Sequence, residues 1–278
     1  MSLYYALCDA LPFEILHWDF MKNALLAILI LAPLLGLTST MIVTGKMSFF
    51  SDALGHSAFT GIAIGAILGI AAPTWIAVVF SVIFALLFSF VRSKSNQTAD
   101  TLIGVFSSSA VALGIFIATL DGGSFTKYNK YLIGDVLSVT PFEIMMLFVV
   151  LIAVAVFWII TSNHLTLCAV HPQLASSRGI SVRATQTSFT VAIAVIVTLA
   201  ISWVGLLILN SLLVLPGALA RNMAKNLKQY HLYSILAAVL SGVLGLWVSY
   251  AFGTSTGAAI SLILALLFTV SFLFRKAR

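Results

Sequence analysis

Ser51-Asp52-Ala53-Leu54-Gly55-His56-Ser57, continuing through Ala58-Phe59-Thr60-Gly61, places an acid and an imidazole four residues apart in a run that is otherwise apolar or small. On a helix this spacing sets both side chains on one face, about one turn apart. The rest of the chain decides what kind of helix it is. Of 278 residues, 61% are hydrophobic and 8% are charged, and the mean hydropathy is +1.14. A soluble domain carries roughly a quarter of its residues as charges, so this chain has too few to cover a water-facing surface. It reads as an all-α, polytopic helical membrane protein. An ionisable side chain facing lipid is costly, so Asp52 and His56 are expected to face a pore, a water-filled cavity or a bound ion.

Working outward, the spans are expected at about 20–44, 48–71 (with the motif), 73–91, 101–120, 141–161, 232–251 and 256–274. Each is near the roughly 20 residues a helical crossing needs. Residues 1–18 read as a short interfacial helix, ended near Pro12 or Trp18. The 34 residues 187–220 are long for one crossing and short for two. Both flanks are basic, which favours two short helices or a re-entrant pair bent at Pro216. The expected total is eight to nine transmembrane helices, or seven plus a re-entrant hairpin, in a single transmembrane domain over 1–278 with a polar cytoplasmic loop at 163–186.

Charge placement sets the orientation. With the N-terminus outside and the C-terminus inside, 11 of the 14 basic residues are cytoplasmic, and only Lys22, Lys127 and Lys130 fall outside. The net charge of +6 is therefore a topology signal and gives no reason to expect nucleic acid. No cleavable signal peptide is expected, because residues 1–16 lack a basic start followed by an apolar core. Cys8 and Cys168 are expected on opposite sides and unpaired.

Each candidate has a functional and a plain reading. Counting from Lys46 at about 1.5 Å per residue puts Asp52 ~9 Å and His56 ~15 Å along the helix, near the midplane of a ~30 Å core. Carboxylate plus imidazole suits a first-row divalent cation such as zinc or manganese; the plain reading is a polar pair satisfied between helices. Gly61, Gly65 and Gly69 form a doubled small-xxx-small pattern for close helix packing. Asp100 opens the fourth span as a helix cap or dipole partner, or as a pore ligand or gate residue on the same cytoplasmic half as Asp52. The segment His171-Pro172-Gln173-Leu174-Ala175-Ser176-Ser177-Arg178-Gly179 reads as a short helix, with Pro172 at its first position and Gly179 at its C-terminal cap. It is a docking knob for a soluble partner or a solvated connector. Asp121, Lys127, Lys130 and Asp135 offer a mixed-charge outer loop. Gly45-Lys46 has no glycine five residues earlier and is followed by Met47, so it is not a phosphate-binding loop. ATP-driven work would need a nucleotide site on another chain.

Four stretches resemble the permease subunits of bacterial ABC importers for zinc and manganese. They are Phe20-Met21-Lys22-Asn23-Ala24-Leu25, the Asp52–His56 signature, Asp100-Thr101-Leu102-Ile103-Gly104, and Val204-Gly205-Leu206-Leu207 through Pro216-Gly217-Ala218-Leu219-Ala220-Arg221; Gly257 also fits. The resemblance implies a dimer of permeases on two cytoplasmic ATPase subunits, fed by an extracellular metal-binding protein, in the bacterial plasma membrane. It implies that Asp52 and His56, with Asp100 as a further candidate, meet the transported manganese or zinc, and that no cofactor is covalently bound. It also implies that His171, Pro172, Ala175, Arg178 and Gly179 belong to the loop that couples to the ATPase. His171 departs from the acidic residue common in the family at that point. The chain itself is then no enzyme. The alternative from another class is a proton-coupled secondary carrier acting without an ATPase; it calls for more intramembrane acids and an inverted repeat.

Overall fold

The structure, a computed structural model, describes residues 4, 5, 8, 14–70, 73–120 and 136–273. Among these residues there are ten α-helices and no strands. They are α1 (Asp19–Thr44), α2 (Phe50–Ile67), α3 (Pro73–Lys94), α4 (Ala99–Thr119), α5 (Pro141–Val170), α6 (Pro172–Ser177), α7 (Val182–Val204), α8 (Leu206–Met223), α9 (Leu227–Phe252) and α10 (Thr256–Leu273). Eight are long and apolar enough to cross a membrane, and the chain is a multi-pass membrane protein. The long helix outside that group of eight is α2, whose apolarity is diluted by Asp52 and His56. Of the expected interfacial helix at 1–18, a single turn at Glu14–His17 is described; most of it lies outside the described residues, as do the outer-loop positions Asp121, Lys127, Lys130 and Asp135.

Several boundaries differ from the sequence expectation, each for a local reason. The fifth span runs on to Val170 instead of stopping at 161. Thr140 and Glu143 start it with a reciprocal capping box, and no breaker occurs before Pro172. At 30 residues it is about 45 Å long, so it projects beyond a ~30 Å core and absorbs the first part of the expected polar loop. The motif helix is shorter than 48–71. Gly69 has φ +68, its N–H bonds Ala66 O, and the Ile70 N–H bonds Gly65 O, which is a Schellman stop. Gly69 is thus a cap and not part of a packing stripe. Gly61 and Gly65 do pack: a Cβ at Gly61 would lie 2.4 Å from the Ala77 Cα, and one at Gly65 3.0 Å from Pro73.

The 187–220 stretch resolves into two helices, but the break is at Gly205 and not at Pro216. Gly205 has φ 86 and ψ 158, a region open essentially to glycine alone. Pro216 sits inside α8. There the Gly217 N–H donates to Ser39 Oγ at 2.9 Å, so α1 pairs a backbone group beside the proline.

α1 is the central helix, with 72% of its apolar window buried against 22% for α5. It packs against α5, α8 and α9. α2 packs against α3, α4 and α7, while α8 packs against α1, α9 and α10. These two groups meet where α7 packs against α5 and α8 and where α2 touches α8. On the outer helices, Val79, Ile83 and Leu87 of α3 and Met145, Ile152 and Ile159 of α5 are exposed, the apolar belt expected of lipid-facing surfaces.

Candidate functional site

α2 begins at Phe50 because the chain turns sharply before it: Lys46 has a positive φ of 53. Asp52 therefore lies in the first turn of α2, ~3 Å from its start, with His56 at ~9 Å. The depth counted from Lys46 is corrected accordingly, since residues 46–49 are not helical. His56 Nε2 lies 3.5 Å from Asp52 Oδ2, so the four-residue spacing brings the two groups together as expected. Between Phe50 and Gly65, only Asp52, His56 and Ile64 are not buried. Asp52 and His56, four residues apart, share one open face; Thr60, the next position in that series, is buried. The Asp52 and His56 side chains are 45% and 28% exposed. The motif thus occupies a face of α2 that the described residues leave uncovered.

A third group reaches this face from α8. Asn210 Nδ2 donates to Asp52 Oδ1 at 3.0 Å. Gly55 makes the approach possible: a Cβ there would lie 2.2 Å from Leu206 Cδ1, one turn before Asn210. The other amide atom, Asn210 Oδ1, is buried and has no hydrogen-bond partner among the described residues. Asn210 was not among the sequence candidates. Its only signal was an amide inside the apolar run 187–220, and only the α2–α8 contact gives it a partner. Nearby on α8, Ser211 Oγ meets Ser261 Oγ of α10 at 2.6 Å.

Asp100 is not brought to this pair. Among the described residues, no three His, Cys, Asp or Glu side chains cluster so as to hold a metal. Nor is Asp100 the cap of α4. That role belongs to Thr98, whose side chain accepts from the Thr101 N–H. Asp100 is exposed in the first helical turn, where a carboxylate complements the helix dipole.

The short helix between the longer ones forms as read. Pro172 is the first residue of α6. Gly179 follows it with φ +76. The Gly179 N–H bonds Ser176 O and the Ile180 N–H bonds Ala175 O, both at 3.0 Å, giving a full Schellman cap. His171, Pro172, Arg178 and Gly179 are exposed, but Ala175 is fully buried. Ala175 is therefore a packing residue of α6, and its outward surface comes from Gln173, Leu174, Ser176, Ser177 and Arg178. Leu174 is an exposed apolar side chain on that surface.

The family model of the ABC 3 transport family matches residues 17–275. The chain belongs to the ABC 3 transport family. It is a transporter permease and not an ATPase. This ABC 3 permease is 30% identical to the high-affinity zinc uptake system membrane protein ZnuB of Haemophilus influenzae, over 96% of this chain and 99% of that protein. It is 29% identical to the manganese import system permease protein ScaB of Streptococcus gordonii, over 92% and 91%. Its fold matches a chain in the solved structure of PsaBC from Streptococcus pneumoniae in complex with Fab, with a TM-score of 0.80, 27% identity, and coverage of 98% and 95%.

Proposed function

We propose that two copies of this permease form the pore of an ATP-driven importer for a divalent transition metal ion, manganese or zinc. The observation that carries this reading is the setting of Asp52 and His56. It is the face that the described residues leave open on a helix whose first fourteen residues, Phe50 to Ala63, are otherwise buried. An exposed acid and imidazole on a membrane helix need a partner, and a second copy placed there would enclose them around a shared axis. The relatives with zinc and manganese in their names support the choice of cargo.

In this reading 1–278 is one permease domain in a bacterial plasma membrane, N-terminus outside and C-terminus inside, as the basic residues argue. An extracellular metal-binding protein delivers the ion. Asp52 supplies carboxylate charge and His56 a neutral imidazole lone pair, and together they replace part of the ion's hydration shell. Protonated imidazole cannot ligate, so acid weakens transport. On the cytoplasmic side α6, with its two fixed ends, presents Leu174 and Arg178 to an ATPase subunit, and His171, Pro172 and Gly179 hold it in shape. Asp100 serves the helix dipole or a gate on the same side.

The test is uptake of radioactive manganese and zinc into liposomes holding the permease with its ATPase and binding protein. Asp52→Ala and His56→Ala are expected to abolish ATP-dependent uptake of both ions while the complex still assembles. Unchanged uptake in either variant sinks the site assignment.

A further inference from the structure

Asn210 lies inside the Val204–Arg221 stretch, though the resemblance assigned it no role, and its environment is unusual. Its amide nitrogen is committed to Asp52 at 3.0 Å. Its amide oxygen is buried, and among the described residues it has nothing to accept from. A buried acceptor without a donor is rare in a folded protein and calls for an explanation. Neither Gly55 nor Leu206, which pack beside it, has a side-chain donor to offer.

The amide is symmetric in shape. Half a turn about its last torsion exchanges oxygen for nitrogen at nearly the same place. With no ion present, the NH₂ faces Asp52, because an amide oxygen would be repelled by the carboxylate. A cation beside Asp52 reverses that preference. The oxygen then turns toward the ion and the NH₂ takes the former place of the oxygen. The 3.0 Å separation suits two atoms sharing one ion, whose bonds to oxygen are about 2.0–2.2 Å.

We propose that Asn210 is a cargo-selecting residue: its amide oxygen joins Asp52 and His56 as a third donor from each copy and tips the site toward manganese over zinc. The inference rests on the metal-pore reading above and adds the choice of ion. The reason is donor chemistry. With Asp52 and His56 alone, each copy offers one oxygen donor and one nitrogen donor. Asn210 makes it two oxygens to one nitrogen. Carboxylate and carbonyl oxygens suit manganese, whereas zinc favours nitrogen and sulfur in a closed tetrahedral set. A third donor per copy also raises the donor number of the paired site from four to six, the number an octahedral ion accepts.

The experiment is competitive uptake of manganese and zinc by the whole complex in liposomes, comparing wild type with N210L, N210D and N210H. N210L keeps the size of the side chain and removes both polar atoms. It is expected to lower the manganese-to-zinc uptake ratio by about tenfold or more, at least the 10–100-fold that loss of a mere supporting group costs a metal site. N210D restores an oxygen donor and is expected to keep the wild-type ratio. N210H replaces oxygen by nitrogen and is expected to move the ratio toward zinc. If N210L fails to assemble, N210D and N210H still decide the matter, because both fill the site with a polar group. A ratio unchanged in N210H, or in assembled N210L, overturns the proposal and leaves Asn210 as a hydrogen-bond partner of Asp52. The metal-pore reading falls separately, if Asp52→Ala transports both ions normally.

Discussion

Two polar seams run between helices of this permease, each has a histidine, and they are built in opposite ways. Between α1 and α9, His231 Nδ1 lies 2.9 Å from Thr40 Oγ1, and that hydroxyl also donates to Leu37 O at 2.7 Å. Tyr230 donates to the Thr40 carbonyl at 3.1 Å. Ser234 donates to the Gly36 carbonyl at 2.5 Å, where a Cβ on Gly36 would sit 2.9 Å from Ala238 Cβ. The His231 ring stacks on Tyr230 at 6.0 Å and meets Trp158 edge-on at 5.6 Å. Between α2 and α8, by contrast, His56 and Asp52 stay partly open and, among the described residues, Asn210 keeps a buried oxygen unpaired. A closed network rigidifies a membrane fold. An open one with a spare acceptor holds capacity for a ligand. The presence of histidine on a membrane helix does not separate the two cases; the completeness of its partners does.

The sharpest way to break this contrast is to disable one seam at a time. Removing a donor group at the α2–α8 seam, as in Asp52→Asn or His56→Gln, is expected to cut ATP-dependent uptake by about 100-fold or more, beyond what loss of a supporting group costs. Melting of the purified complex should stay close to wild type, since both side chains are already part exposed. At the α1–α9 seam the signs reverse. Thr40→Val with His231→Phe is expected to lower stability by roughly 1–3 kcal/mol, read as a fall in melting temperature in detergent, while uptake per folded complex holds. Lost uptake in a fully assembled Thr40→Val/His231→Phe protein would end the comparison.

Backbone positions give the next size of effect. Gly205→Ala forces a side chain into a conformation that costs on the order of 1–3 kcal/mol, and it sits at the head of the helix carrying Asn210. Reduced thermal stability together with weaker uptake is expected, whereas an unaltered melting curve would mean that the break between α7 and α8 can form elsewhere. Gly179→Ala strains the cap of α6 by roughly 1–2 kcal/mol. The expected result is weaker stimulation of the ATPase by delivered metal, with metal binding unchanged.

The smallest effect sharpens the contrast between the histidines. Acidification should reduce uptake in wild type and equally in His231→Phe, because the imidazole that must stay neutral to ligate is on α2. A pH profile altered in His231→Phe would move the proton-sensitive group to the other seam.

How much of this was legible before the structure depends on the range of the interactions involved. The Asp52–His56 pair was readable because four residues make one helical turn, and the structure places the two groups 3.5 Å apart. Pro172 and Gly179 were readable as helix start and stop because their restrictions are local. Gly69 was misassigned because a glycine four residues after Gly65 suits both a packing stripe and a helix stop, and only its φ of +68 separates them. Of the two readings of 187–220, the two short helices hold and the pair bent at Pro216 does not: the division is at Gly205, and the α1 residue Ser39 pairs the Gly217 N–H beside the proline. Ala175, which the resemblance places in the coupling loop, is buried, and the packing of one small side chain leaves no trace in hydropathy.

The sequence by itself determined the environment, the helical class, most of the spans and the acid–imidazole pair, since composition and helical periodicity act over a few residues. Only the tertiary structure decided which face of α2 stays uncovered, that Asp100 stands apart from the pair, and that Asn210, 158 positions away, bonds to Asp52. Those outcomes depend on where α8 crosses α2, and that crossing is set by Gly55 fitting against Leu206, a contact between residues far apart in the chain.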